Sequence, residues 1–89
     1  MYYVYILQSQ KNHQFYTGYT ADLKRRVAEH NAGKSFHTSK YRPYELVYYE
    51  ASVSQEDAIA REKYLKSGMG KRYVKNRIKR FLAESEKGL

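Results

Sequence analysis

The chain has 89 residues, and its composition restricts both its fold and its chemistry. A domain of this length buries only about 60% of the surface that its unfolded chain exposes, so we expect one domain over residues 1–89 with a modest core. Cysteine is absent from the sequence, which excludes a disulfide framework and a zinc site built on thiolates. The apolar run at the start is short and has no basic segment before it, so we expect neither a signal peptide nor a membrane span, and a cytoplasmic location.

Charge is distributed unevenly along the chain. The formal net charge is +8, and residues 1–59 carry seven basic and six acidic side chains, whereas residues 60–89 carry ten basic and three acidic ones. A basic C-terminal third favours a polyanionic partner, either nucleic acid or an anionic lipid surface.

The first elements are predicted to be two strands that form a hairpin. Aromatic and β-branched residues are enriched over residues 2–7 and 15–19, as is typical of strands. We expect Tyr5 to lie opposite Tyr16, which leaves residues 9–12 as a four-residue loop.

The later elements are predicted to be one strand and three helices. The first helix ends before Gly33, and a loop over residues 32–43 leads to a strand over residues 44–50. A second helix from Ser54 to about Ser67 is followed by a glycine-rich break at residues 68–70 and a basic helix over residues 71–87. The order β-β-α-β-α-α predicts an α+β fold, with a small antiparallel three-stranded sheet flanked by helices.

Several polar residues fall where the periodicity predicts burial. At helical spacing, His30 lies inside the apolar stripe of the first helix and Arg26 lies at its border, while Glu62 lies in the buried face of the second helix. Alternation places Tyr5 and Tyr16 on one face of the sheet. An ionised carboxylate without a partner costs several kcal/mol to bury, so we expect a cation, hydrogen-bond donors or a metal ion beside Glu62.

Several segments together resemble the GIY-YIG nuclease superfamily. They are Tyr3-Val4-Tyr5, Tyr16-Thr17-Gly18, Thr20-x-Asp22-Leu23-x-x-Arg26-x-x-x-His30 and Ala58-x-x-Arg61-Glu62-x-x-Leu65-Lys66. Their order and spacing are most similar to the small stand-alone bacterial members, which resemble the N-terminal domain of a nuclease of excision repair. Tyr3 stands where the family's name has Gly, and Thr17 stands where it has Ile.

The resemblance implies a phosphodiesterase centre and a connection with DNA repair. The implied catalytic residues are Tyr5, Tyr16, Arg26, His30 and Glu62. One tyrosine would help to activate the attacking water, Arg26 would steady the phosphate and His30 would reach the region of the scissile bond. Glu62 would hold one divalent ion, Mg²⁺ or Mn²⁺, and Gly18 would leave room beside the site.

The basic side chains that follow are predicted to hold a phosphate backbone without reading its sequence. They are Lys66, Lys71, Arg72, Lys75 and Arg77. We expect a nucleic-acid partner, with DNA favoured over RNA, and no membrane partner. The sequence leaves the oligomeric state open between monomer and dimer, and the absence of an exposed heptad pattern favours a monomer.

Two other interpretations stay open from the residues alone. The chain could be a nucleic-acid-binding module without turnover, in which the tyrosines, Arg26 and Glu62 form a structural network. It could also be a peripheral membrane protein that presents the apolar stripe of its last helix to anionic lipid. That stripe consists of Val74, Ile78, Phe81 and Leu82.

Overall fold

A computed structural model describes residues 1–87 of the chain, with three strands in one antiparallel sheet. The central strand β1 (Tyr2–Ser9) lies between β2 (Phe15–Thr20) and β3 (Tyr44–Ser52). The predicted α+β class is confirmed, as are the antiparallel three-stranded sheet and the order of its elements.

The hairpin has a different register from the predicted one. Tyr5 lies opposite Gly18, and Leu7 lies opposite Tyr16. The loop keeps four residues but moves to residues 10–13, because the Ser9 N–H donates to the Gln14 carbonyl at 2.9 Å. The Ser9 hydroxyl holds this turn by accepting hydrogen bonds from the N–H groups of Lys11 and Asn12, at 3.1 Å each. A slip of two residues leaves every side chain on its predicted face, so Tyr5 and Tyr16 still share one side of the sheet.

The helices surround the sheet. They are α1 (Leu23–Asn31), α2 (Gln55–Lys66), α3 (Gly68–Arg77) and α4 (Lys79–Lys87), with a short 3₁₀ turn over Ser39–Tyr41. The side chains of Asp22, Ser54 and Ser67 accept hydrogen bonds from N–H groups in the first turns of α1, α2 and α3. These caps satisfy donors that have no partner within the helix.

The prediction of one basic helix over residues 71–87 was wrong in two respects. The backbone leaves helical geometry at Ile78, where φ is −109° and ψ is 21°, so that α3 and α4 are separate helices. The predicted break at residues 68–70 forms the first turn of α3 instead. Gly70 permits this because an added Cβ would overlap the backbone of α2 at Tyr64 and Leu65.

The two faces of the sheet pack against different helices. One face of β1 contributes Val4 and Ile6 to a core with residues of α2 and α3. The other face contributes Tyr5 and Leu7 to a smaller core, against which α1 packs. Helices therefore cover both faces of the sheet, with α1 on one side and α2 and α3 on the other.

The apolar stripe of the last two helices belongs to the core. Val74 and Ile78 are buried, and Phe81 and Leu82 pack against the same cluster. The stripe therefore does not form a lipid-facing surface. No helix in the part of the chain that the structure describes has the length and apolar character needed to cross a bilayer.

Helix α2 packs over β1 and β2 on the face opposite α1. Near its start, Gln55 donates a hydrogen bond of 2.7 Å to the Tyr19 hydroxyl. Near its end, Leu65 and Lys66 line the same cleft as Phe15 and Thr17. Glu62 therefore comes close to the β2 edge from the face opposite α1.

Candidate active site

Tyr5 and Gly18 form the centre of the polar cluster on the α1 face. They are direct partners across β1 and β2, and the Tyr5 side chain is 1% exposed. A Cβ at position 18 would lie 2.6 Å from Tyr5 Cζ, which is closer than atoms can pack. Gly18 is thus required sterically, because its missing side chain is the space that the Tyr5 ring occupies.

A chain of hydrogen bonds runs inward from Tyr5. Its hydroxyl lies 2.8 Å from His30 Nε2, and His30 Nδ1 lies 2.6 Å from Thr38 Oγ1. All three side chains are buried. We call Tyr5, His30 and Thr38 the buried hydrogen-bond chain.

Thr38 was not among the predicted site residues. It lies in the segment between α1 and β3, where the sequence shows no periodicity that would indicate which side chains point inward. No sequence pattern predicts that Thr38 is buried against His30, because the two residues are eight positions apart and only His30 lies on a helix.

Arg26 determines the direction of the buried hydrogen-bond chain. Its positive charge acts on the Tyr5 hydroxyl, and its guanidinium donates to Glu29 Oε1 at 3.2 Å. A positive charge beside the Tyr5 oxygen favours the orientation in which its lone pairs face Arg26 and its O–H donates to His30 Nε2. We therefore assign His30 the tautomer that carries its proton on Nδ1, which donates to Thr38.

Burial keeps both rings neutral. It raises the pKa of Tyr5 to about 12, since the phenolate would lose its hydration, and the neighbouring Arg26 offsets only part of this effect. Burial, together with the positive charge of Arg26, lowers the pKa of His30 to about 4. At neutral pH the chain is thus a phenol hydrogen-bonded to a neutral imidazole.

Tyr16 lies beside this chain and is less enclosed. Its ring centroid is 5.1 Å from that of His30 and 6.5 Å from that of Tyr5. Tyr16 is half-buried and also lines a cleft on the far side of the β2 edge. It is therefore the tyrosine of the pair that has an accessible flank.

Glu62 approaches the cluster from α2. Its side chain is 22% exposed, so it lies at the border of the buried face and not in the middle of it, as its helical position predicted. The negative charge of Glu62 acts on Tyr5 and contributes to the rise of the Tyr5 pKa, which indicates that the two are within electrostatic range. Its direct partner is Lys66, at 3.3 Å.

Glu62 is therefore within electrostatic range of Tyr5, but its direct contact is with Lys66. Among the described residues, Arg26 pairs with Glu29 and Glu62 pairs with Lys66, with no ion pair between Arg26 and Glu62. Arg26 and Glu62 lie on opposite sides of the sheet, because α1 and α2 cover opposite faces. The charge of Glu62 nevertheless acts on the Tyr5 hydroxyl.

The donor set near Glu62 is sparse. Residues 1–84, whose side chains the structure describes, contain no group of three or more His, Asp or Glu side chains arranged to hold a metal ion. A single carboxylate fits Mg²⁺ or Mn²⁺, which keep several waters and complete their coordination with substrate phosphate. It does not fit a metal that requires a dedicated cage of protein ligands.

The five basic residues predicted to bind nucleic acid separate into two groups. Lys66, Lys71 and Lys75 line one cleft beside β2. Arg72 lines a separate hollow with Met69 and Tyr73, and the charge of Arg77 acts on Glu50 of β3. The first group is the one next to Tyr16 and Glu62.

A second polar cluster joins α2 to β3 and contains none of the predicted site residues. Arg61 donates to both carboxylate oxygens of Glu50, at 2.9 and 2.7 Å, and Tyr48 donates to the same carboxylate at 2.8 Å. Arg61 also lies over the rings of Tyr64 and Tyr73, at 5.0 and 5.3 Å from their centroids. Each charged group has its partner, so we interpret this cluster as structural.

Comparison with known proteins identifies the family of this chain. Residues 1–76 match the model of the GIY-YIG catalytic domain, which includes both tyrosine motifs, Arg26, His30 and Glu62. The chain belongs to the GIY-YIG catalytic domain family. This confirms the resemblance stated from the sequence.

Small bacterial proteins are among the relatives of this GIY-YIG chain. It is 46% identical over 65 residues to a UPF0213 protein of Streptococcus pyogenes serotype M5 (strain Manfredo), which covers 72% of this chain and 70% of the relative. A UPF0213 protein of serotype M2 (strain MGAS10270) gives the same values. The solution structure of the UPF0213 protein BH0048 from Bacillus halodurans is 37% identical, covers 83% of this chain and 82% of that one, and has a TM-score of 0.52.

Family membership supports a nuclease-type function for the chain. The GIY-YIG catalytic domain is a nuclease fold, and the match spans all three strands, α1 and α2. The hydrogen-bonded tyrosine, the guanidinium and the lone carboxylate lie within that match.

Proposed function

We propose that the chain is a divalent-metal-dependent endonuclease that hydrolyses phosphodiester bonds in DNA. The observation that supports the proposal is that the charges of Arg26 and Glu62 both act on the Tyr5 hydroxyl, beside Tyr16 and a basic cleft. Hydrolysis of a phosphodiester needs charge neutralisation at the phosphate and a positioned water. The residues at this edge offer both.

Glu62 and Arg26 are assigned to the charges of the reaction. Glu62 would hold one Mg²⁺ or Mn²⁺, which supplies Lewis acidity toward the phosphate when bound. Arg26 is one-third exposed and keeps its charge at any working pH, so its remaining N–H groups are available to a phosphate oxygen. Its bond to Glu29 holds the guanidinium plane in place.

The two tyrosines are assigned different tasks. The pKa of Tyr5, at about 12, and its position between Arg26 and His30 favour a neutral phenol that orients its neighbours. Tyr16 has the accessible flank, and we assign it the hydrogen bond from the attacking water. His30 is a positioning residue, because it acts on the reaction through Tyr5.

A cleavage assay over a panel of oligonucleotides tests the proposal. The panel contains single strands, duplexes and flaps, each with Mg²⁺, Mn²⁺ or EDTA. We expect cleavage with either ion, and a loss of at least about a hundredfold for Glu62→Gln and for Arg26→Ala while far-UV circular dichroism stays unchanged. Glu56→Gln removes an exposed carboxylate from the same helix and should cleave like the wild type.

The non-catalytic module is the alternative that one observation favours. Glu62 and Arg26 each already have an ion-pair partner within the described residues, as they would in a structural network. Binding of every oligonucleotide without cleavage of any, under both metal ions, would establish that alternative. Unfolding of Glu62→Gln would also make the carboxylate structural.

A further inference from the structure

A cleft of about 410 Å³ lies between the β2 edge and α3, and the functions assigned above do not account for its shape. Its floor is apolar and includes the core residues Ile6 and Val74, while Phe15 lines one wall. Its volume lies within the range of 300–1,000 Å³ that is typical of small-ligand sites. We call it the lysine cleft, because Lys66, Lys71 and Lys75 also line it.

The charge of the lysine cleft has one sign. Lys71 and Lys75 are one turn apart on α3 and so lie on the same side of that helix as Val74. None of the described residues that line the cleft is acidic. An occupant must therefore combine negative charge at the rim with an apolar surface below it.

The lysine cleft is continuous with the candidate active site. Tyr16 contacts His30 on one side of β2 and lines the cleft on the other. Lys66 lines the cleft and also pairs with Glu62, at 3.3 Å. A strand whose phosphate lay at Glu62 would thus have its neighbouring nucleotide at the mouth of this cleft.

We propose that the lysine cleft binds an unpaired nucleotide next to the scissile bond, with its base on Phe15 and its phosphates on the lysines. This rests on the proposed nuclease function. A duplex keeps its bases stacked inside and would leave the apolar floor empty, whereas an unpaired base presents a face that stacks on an aromatic ring. The enzyme therefore selects single strands, flaps or gaps over blunt duplexes.

Binding measured in EDTA tests the stacking contact without any turnover. Fluorescence anisotropy compares a labelled single strand with a blunt duplex of the same length. We expect Phe15→Ala and Phe15→Leu each to weaken single-strand binding about tenfold, and duplex binding by less than twofold. Phe15 lies at the sheet edge and is 36% exposed, so these variants keep the fold. Phe36→Ala, a change at a phenylalanine that is 90% exposed outside the cleft, should bind like the wild type.

The salt dependence tests the lysines separately. Each phosphate contact contributes about 0.7 to the slope of log affinity against log salt for a single strand. The double variant Lys71→Gln/Lys75→Gln should therefore reduce the slope by about 1.4. Lys24→Gln/Lys63→Gln makes the same change in net charge outside the cleft and should leave the slope as it is.

Three results would overturn the cleft proposal. The first is that the Phe15 and Phe36 variants weaken single-strand binding equally, and the second is that the Phe15 variants weaken single-strand and duplex binding equally. The third is that phosphatidylglycerol vesicles displace the single strand, which would make the cleft a lipid site. Cleavage is scored separately from binding. If the protein cleaves blunt duplexes and Phe15→Ala has no effect, the proposal for the lysine cleft is refuted and the nuclease function is supported. If single-strand binding depends on Phe15 but nothing is cleaved, the nuclease function is refuted and the binding of a nucleotide in the cleft is supported.

Discussion

Tyr5 owes its position to the absence of a side chain at residue 18. The Tyr5 ring fills the space beside Gly18, and its hydroxyl reaches His30 only from there. The constraint is steric, since an ordinary strand conformation would accept any residue at this position. The tyrosine motif on β1 and the glycine motif on β2 are thus linked, because Tyr5 packs directly against Gly18.

Gly18→Ala is predicted to damage both stability and activity. The added methyl group must displace the Tyr5 ring, and overpacking of this kind costs about 1–3 kcal/mol. Urea denaturation measures the loss of stability, and the cleavage assay measures the loss of activity. Gly68→Ala is the matched control, because nothing lies within 4 Å of its added Cβ. A Gly18→Ala protein with wild-type stability would show that the Tyr5 contact is not constraining.

His30 is predicted to make the fold sensitive to mild acid. Its pKa is about 4 in the folded protein and about 6.5 in an unfolded chain, so the unfolded state binds a proton more readily. The free energy of unfolding should therefore fall as the pH drops from 6.5 to 4, by up to about 3 kcal/mol, and this effect is absent above pH 6.5. Chemical denaturation at several pH values measures it.

The control for this prediction is a histidine outside the core. The free energy of unfolding of His37→Gln should still fall between pH 6.5 and pH 4, because His37 is exposed. In His30→Gln this fall should be absent. An identical pH profile for wild type and His30→Gln would mean that the imidazole is not held neutral by burial.

Helical periodicity was sufficient to predict where Arg26 and His30 point. Both follow from their spacing to the apolar residues of one short helix, and the structure buries His30 completely. Thr38 could not be found in this way, because a loop has no repeating geometry. The neutral state of Tyr5 also depends on the burial of its hydroxyl, which is a property of the packed molecule.

Among the larger elements, α2 and β3 are fastened together by the pairing of Arg61 with Glu50. The guanidinium and the carboxylate form two hydrogen bonds, and Tyr48 adds a third to the same carboxylate. The Arg61 guanidinium holds the pKa of Glu50 below its usual value. The pair is partly exposed to solvent, so its contribution is moderate.

Glu50→Gln is predicted to destabilise the fold by about 1–2 kcal/mol at pH 7. Because the pKa of Glu50 is lower in the folded state, this stabilisation is present above the unfolded-state value of about 4.3 and is lost as the pH falls through the folded-state pKa. The stabilities of the wild type and of Glu50→Gln should therefore become equal at acid pH. Thermal melts from pH 3 to pH 7 would reveal this, with Glu45→Gln, an exposed change on the same strand, as control.

The hairpin and the last helices show where element prediction fails. Alternation fixed the faces of β1 and β2 but not their register, which depends on how the Ser9 hydroxyl holds the turn. The apolar spacing of residues 74–82 is the same for one helix or two, so the sequence carries no sign of the break at Ile78. The role of Gly70 likewise depends on the nearby backbone of α2.

In the molecule as a whole, the candidate site is assembled from both sides of the sheet. The class and order of elements were predictable because each has its own periodicity. The side on which each helix packs was not, since an amphipathic helix fits either apolar face. Glu62 therefore acts on Tyr5 through its charge and not by direct contact.

The fold is predicted not to depend on a metal ion. Its two cores are apolar, and the carboxylate assigned to the ion lies at the surface of the larger one. EDTA should abolish cleavage and leave the melting temperature unchanged. Added Mg²⁺ should stabilise the wild type by only about 0.4 kcal/mol when its concentration equals Kd, and Glu62→Gln not at all. Unfolding on chelation would contradict this.

The loop that carries Thr38 is anchored at both ends of its tip. Ser35 and Thr38 are buried, while Phe36 and His37 between them face solvent. Insertions are tolerated best at exposed tips whose flanking residues stay in place. A protein engineer could therefore graft a recognition peptide between positions 36 and 37 of this small scaffold, since the hydrogen bond between Thr38 and His30 would hold the graft at a fixed distance from the candidate site.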